Sequence, residues 1–268
     1  MGYFGKMTFS IMFAIVLAIV IGLIFLSVRH GNPIQRAVRH VMRSLDGKTA
    51  VLGNDGRYYY VLADKSEVKE ASEKIESVNK FMIEFIIKLK QKYLYNEKTC
   101  FLESTFSPDD EFIPFSENCS LKKNPLSDYK YRAVYLLVTR YRPNYLEENQ
   151  PTSSADTSWE EGKGERIALC LREQNSGKYN FISDKELVKF VAIHELTHIA
   201  ANTLIHPFYF WKVFKFLLNE ANLLMDYKLV DYSRAPTNYC GMNVTNNPVY
   251  DDSLDIQSNG KHDIISMA

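Results

Sequence analysis

A five-residue run, His194-Glu195-Leu196-Thr197-His198, limits what this chain can fold into more than any other feature. In a helix, one turn separates the two histidines, so both imidazoles leave the same face and can share one metal ion. The glutamate beside the first histidine is then placed to take a proton from a water that the ion activates. The flanking pattern is helical. Ser183 and Glu186 form a Ser-x-x-Glu capping box just before the apolar positions Leu187, Phe190 and Val191. A residue before proline is biased away from the α region, so His206-Pro207 is expected to break the helix near Ile205. Pro207 then suits the first turn of a second helix reaching about Leu224, with Phe210, Trp211, Phe214, Leu217, Leu218 and Ala221 as its apolar positions.

A catalytic zinc takes three protein ligands and keeps one position open. His206 is the first candidate for the third ligand, because a bend can swing its side chain back to a metal held by the first helix. Its bland alternative is a helix-capping histidine. Glu220, near the end of the second helix, is the rival; its own alternative is a carboxylate that supports a ligand from behind.

Upstream, Thr49 to Ala63 reads as a hairpin around a Gly53-Asn-Asp-Gly56 turn. Between about Ser66 and Tyr95, the residues Ile75, Val78, Met82, Phe85, Leu89 and Tyr93 recur at three- and four-residue steps, which predicts an amphipathic helix. Residues 96–128 read as a long irregular connection. Tyr129 to Tyr141 is rich in β-formers and is expected to be a strand. Residues 143–164 read as a flexible polar loop, and Arg166 to Arg172 as a short apolar strand.

Lysine plus arginine and aspartate plus glutamate each number 32, so no global field argues for nucleic acid. The four cysteines, Cys100, Cys119, Cys170 and Cys240, form no C-x-x-C pair. They read as buried thiols, with a Cys100–Cys119 bridge left open if the domain faces an oxidising compartment.

Residues 8–28 carry no charge and are dominated by Ile, Val, Leu, Phe and Ala. At about 1.5 Å per residue, this run reaches roughly 31 Å, enough to cross a hydrocarbon core. It is read as an uncleaved transmembrane anchor rather than a signal peptide, since Phe25-Leu26-Ser27-Val28-Arg29 offers no small-x-small cleavage site. Arg29, Arg36, Arg39 and Arg43 follow it, so the positive-inside bias places the remainder in the cytosol. The expected organisation is a short N-terminus and anchor (1–28), a basic juxtamembrane segment (29–44), a catalytic domain (45–250) and a polar tail (251–268).

Several segments together resemble one family. They are Gly162-Lys-Gly-Glu-Arg-Ile-Ala-Leu-Cys-Leu-Arg172, Phe190-Val-Ala-Ile-His-Glu-Leu-Thr-His-Ile199, and His206-Pro-Phe-Tyr-Phe-Trp211 with Phe216-Leu-Leu-Asn-Glu-Ala221. Val230-Asp-Tyr-Ser and Pro236-Thr-Asn-Tyr-Cys-Gly-Met242 complete the set. Over about residues 157–250, the chain resembles the WLM metallopeptidases, which are related to SprT/spartan-type proteases, and above all their compact versions in large DNA viruses. The resemblance implies an α+β zincin-like fold with Zn2+ held by His194, His198 and His206. It also implies Glu195 as the general base and a supporting role for Glu220. The family pattern has glycine before the third histidine, where this chain has Ile205, so a reshaped turn is expected. Some cellular relatives cleave proteins crosslinked to DNA; no basic stripe here carries that role over.

The expected reaction is hydrolysis of a protein or peptide substrate beside a membrane, on the cytosolic face or the equivalent face of a virion membrane. An edge strand would hold the substrate backbone, with Arg166 to Arg172 as the candidate. Tyr232 and Tyr239 are candidate oxyanion donors, and Cys170 and Cys240 candidate buried thiols. The alternative from another class is a structural membrane protein that keeps a degenerate peptidase fold.

Overall fold

The computed structural model describes residues 33–94, 128–144, 146–149, 158–161, 166–175 and 178–255. The chain divides into two compact units, Met1–Gly47 and Lys48–Ala268. The described part of the first is one helix, α1 (Pro33–Leu45).

The second unit opens with β1 (Lys48–Leu52) and β2 (Tyr58–Leu62), an antiparallel hairpin closed by the expected glycine turn. Gly56 takes a φ of 80°, and a side chain at Gly53 would collide with Tyr59 at 2.7 Å, so both glycines are needed there. The long helix α2 (Val68–Tyr93) follows as its periodicity predicts, burying Ile75, Val78, Met82, Phe85 and Leu89.

Tyr129 to Tyr141 is not a strand. It forms α3 (Tyr129–Arg140), capped by Asp128, whose side chain accepts from the Lys130 amide at 3.0 Å. Tyr131, Val134 and Val138, with Ala133 and Leu137, are buried at helical spacing, and packing against α2 overrides the β propensity of individual residues.

The segment expected to be a polar loop carries two strands, β3 (Leu146–Asn149) and β4 (Trp159–Glu161). With β5 (Arg166–Cys170) they complete a five-stranded sheet in the order β1-β2-β3-β5-β4. β2, β3 and β5 run parallel, while β1 and β4 are antiparallel edges. β3 looks polar because Glu147 and Glu148 are core residues at 1% and 0% exposure. Lys48 and Arg166 each meet Glu147 at 2.7 Å. Glu148 accepts from the Leu62 amide at 2.9 Å and pairs with Arg172 at 2.7 Å.

Two further hairpins lie outside this sheet: β6 (Arg172–Asn175) with β7 (Lys178–Phe181), and β8 (Thr237–Tyr239) with β9 (Met242–Val244). Between them come α4 (Lys185–Ala201) and α5 (Phe208–Leu224). α2 packs on β1, β2 and β3, α4 packs on β4 and β5, and α3 and α5 pack on those two helices.

Among the described residues, no helix is long and apolar enough to cross a membrane. The expected single transmembrane helix is therefore corrected: the described residues form a mixed α/β fold, compatible with the expected α+β class, and include no spanning helix. The single-pass localisation drawn from that anchor falls with it. Residues 8–28, on which both rested, lie outside the described residues, as do Cys100 and Cys119.

Candidate metal centre

α4 begins one residue later than the capping box implies. Asp184 is the cap, its carboxylate accepting from the Glu186 and Leu187 amides at 2.9 and 3.0 Å. Ser183 is exposed, and Glu186 instead accepts from the Lys228 amide at 2.7 Å. The helix also stops earlier than Ile205. Asn202 enters the left-handed region at φ 56° and closes the helix, its amide bonding to the carbonyls of His198 and Ile199. Asparagine tolerates that conformation better than most residues, so no glycine is required before His206. Ile205 is not among the described residues with positive φ. Thr203 stitches the turn: its hydroxyl donates to the Ile205 carbonyl at 3.1 Å and accepts from the Ile205 amide at 3.2 Å.

This turn brings the three histidines together. Nε2 of His194 lies 3.3 Å from Nε2 of His198 and 3.0 Å from Nε2 of His206. All three ligand atoms fall within 4.8 Å of one another, an arrangement that can hold a metal ion. Tetrahedral Zn–N bonds of 2.0–2.1 Å place ligand atoms about 3.3 Å apart, so these separations suit such an ion. The donors are prepared for it as well. Nδ1 of His198 lies 2.8 Å from the Thr203 carbonyl. A carbonyl only accepts, so Nδ1 carries the hydrogen and Nε2 presents its lone pair to the centre. Burial holds His194 down to about 3, reinforced by the charges His198 and His206 would carry. Burial also lowers His198 and His206, opposed at His198 by its bond to Thr203. All three shifts favour the neutral form, which metal ligation requires.

Phe210, one turn into α5, backs the cluster. Its ring lies 5.0, 4.6 and 4.6 Å from those of His194, His198 and His206. Trp211 packs against His206 and donates its indole N–H to the His206 carbonyl at 3.1 Å. Phe210 and Trp211 appear in the sequence reading only as apolar positions. Their spacing, four and five residues after His206, is the signal for this second role.

Glu195 is buried beside His194 on α4, at 3% exposure. Its charge, after burial, helps push the Tyr239 phenol up, which sets it near the β8–β9 hairpin. The Tyr239 hydroxyl is committed elsewhere: it donates to the Cys170 carbonyl at 2.8 Å and meets the Ser158 hydroxyl at 2.9 Å. Tyr232 packs on Phe190, and burial, then the charges of Asp184 and Glu186 at the start of α4, raise its phenol. Glu220 takes no part in the cluster. Lys92 holds its carboxylate at 2.9 and 2.7 Å and Tyr93 donates to it at 2.9 Å, tying α5 to α2.

Two further expectations change. Cys170 and Cys240 are not thiols but a disulfide, joining the end of β5 to the β8–β9 turn. The Arg166 to Arg172 strand is not an edge either. β5 lies inside the sheet, and β4 is the edge on the side against which α4 packs.

The chain is 41% identical over 119 residues to the uncharacterized protein R325 of Acanthamoeba polyphaga mimivirus. The match covers 44% of this chain and 58% of the relative, so the chain spans little more than half of that protein. No family model and no solved structure matches the chain.

Proposed function

We propose that this protein is a zinc-dependent peptide hydrolase of the WLM type, with His194, His198 and His206 as ligands and Glu195 as general base. The observation that carries this reading is the convergence of three imidazoles on one point, beside a buried carboxylate on α4. An all-imidazole donor set suits zinc better than calcium or magnesium, which prefer oxygen. Bound there, zinc supplies Lewis acidity to polarise a peptide carbonyl and activate a water.

The chain's own groups do the rest. Glu195 accepts a proton from the attacking water and returns it to the leaving amine. Thr203 and Phe210 hold the imidazoles in place, so little reorganisation is needed when substrate arrives. β4, the edge of the sheet among the described residues, offers its outer backbone side to an extended peptide, replacing β5 in that role.

The test is the purified protein with its Glu195→Gln variant, each assayed for bound zinc and for cleavage of an unfolded protein substrate. Equal zinc in both, with cleavage lost in the variant, is the expected result. Indistinguishable behaviour in the cleavage assay would overturn the reading in favour of a structural protein with a retained fold.

A further inference from the structure

The metal centre leaves α1 unexplained. Over its C-terminal half, Val38, Val41, Met42 and Leu45 recur at three- and four-residue steps and share one face with Ala37. All four large residues are open to solvent, at 56%, 60%, 53% and 77% exposure. A surface helix normally turns such a stripe inward. The opposite face carries Arg39, His40 and Arg43, and the helix contains no acidic residue. Arg43 pairs at 3.3 Å with Asp46, just past the helix end.

We infer that α1 docks on an anionic lipid surface, lying in the interface with its apolar stripe toward the acyl chains. Charge selects this occupant. A groove on a protein partner would need only the stripe, whereas a helix carrying arginines without a single carboxylate is complementary to a phosphate-rich plane. Length fixes the geometry. Thirteen residues reach about 20 Å, short of the roughly 30 Å hydrocarbon thickness, so the helix lies on the bilayer and does not cross it. Arg39, His40 and Arg43 are half-buried on the far face, and their charge acts on the headgroups across the helix without direct contact. This inference does not rest on the peptidase reading.

The experiment is hydrogen–deuterium exchange on the full chain, read at peptides covering 33–45. It is run without lipid, with phosphatidylcholine vesicles, and with vesicles of phosphatidylserine and phosphatidylcholine. Reading exchange locally separates α1 from any other segment that touches lipid. Exchange over 33–45 is expected to slow at least tenfold with the anionic vesicles and to change little with the zwitterionic ones. A Val41→Gln/Met42→Gln variant loses that protection without adding charge. Arg39→Gln and Arg43→Gln each weaken the anionic preference about fivefold at low salt. Protection at 33–45 that is the same without vesicles, or that survives Val41→Gln/Met42→Gln, would overturn the inference. Protection that instead rises with protein concentration in the absence of lipid would overturn it in favour of self-association.

Discussion

His198 and Thr203 are joined by a 2.8 Å hydrogen bond from the imidazole Nδ1–H to the backbone carbonyl, which locks one histidine of the cluster on α4 to the turn that delivers the third. The turn holds its shape through the Thr203 hydroxyl, which bonds to both the amide and the carbonyl of Ile205. Thr203→Val keeps the volume and removes both bonds. Zinc affinity is expected to fall about tenfold, the lower end of what such supporting contacts contribute, with little change in melting temperature. Competition titration against a chromogenic chelator measures it; unchanged affinity would show that the turn holds itself.

His206 and Glu220 separate cleanly by experiment. His206→Ala is expected to lose stoichiometric zinc while the domain stays folded, since this residue is exposed and lies in a turn. Glu220→Ala is expected to keep its zinc and to lose about 1 kcal/mol of stability, because the part-buried bonds to Lys92 and Tyr93 go unmade. Metal analysis and urea denaturation of the two variants report these outcomes. Zinc loss in Glu220→Ala would reverse the assignment.

Much of the centre was legible because its information is local. A four-residue histidine spacing, a proline after His206 and apolar residues at helical steps sit within about thirty residues, and backbone geometry converts them directly into positions. What was illegible depends on partners distant in the chain. β3 reads as a loop because two of its buried residues are glutamates, and distant partners, Lys48, Arg166 and Arg172 among them, make their burial tolerable. α3 reads as a strand because Tyr131, Val134 and Val138 favour β structure, and the helices against them decide otherwise. α4 ends four residues before the expected break because the proline signal is weaker than a left-handed asparagine that no local pattern announces. The Cys170–Cys240 pairing spans 70 residues and has no spacing signature.

That disulfide pins a turn with an unfavourable backbone. Cys240 sits at φ 51° and Gly241 at φ 91°, as the two central residues of a tight hairpin, and a non-glycine residue pays for the first position. Closing a loop of this size is expected to contribute about 4 kcal/mol by the chain-entropy argument. A Cys170→Ala/Cys240→Ala variant should therefore melt well below wild type under non-reducing conditions. Under full reduction the wild type should approach the variant. Both cysteines are buried, so reduction of the native protein should be slow and limited by unfolding. Rapid reduction without loss of structure would contradict this.

Lys90 gives the stability a pH dependence of definite sign. It is 1% exposed, and burial pushes its ammonium down to about 8 from an ordinary 10.5. Between those values the unfolded chain still holds a proton that the native state has shed. The unfolded state then binds more protons, so stability from this group rises with pH across that window and is lowest below pH 8. Lys90→Met keeps the packed stem and removes the charge. The variant should exceed wild type in urea midpoint at pH 7, and the gap should narrow by pH 9.5. A gap that stays constant would mean that Lys90 keeps its charge in the native protein.

The Glu148–Arg172 pair decides whether the hidden polar strand is a source of stability or a specification of register. Glu148 is fully buried, and burial raises its carboxyl despite the Leu62 amide and the Arg172 guanidinium. Arg172 in turn bonds to the Ser66 carbonyl at 2.5 Å and lies over the Phe181 ring at 4.6 Å, so one side chain ties the sheet to the β6–β7 hairpin. Removing one partner leaves the other charge buried alone. Glu148→Leu is therefore expected to cost about 3–5 kcal/mol. Glu148→Leu/Arg172→Met removes both charges and should recover most of that loss, because the desolvation cost disappears with the attraction. If the double variant regains stability but exchanges its β3 amides faster than wild type, the pair fixes strand register more than it stabilises the fold. If the double variant is as unstable as the single one, the pair contributes net stability, and the polar bonds to Leu62 and Ser66 are the reason.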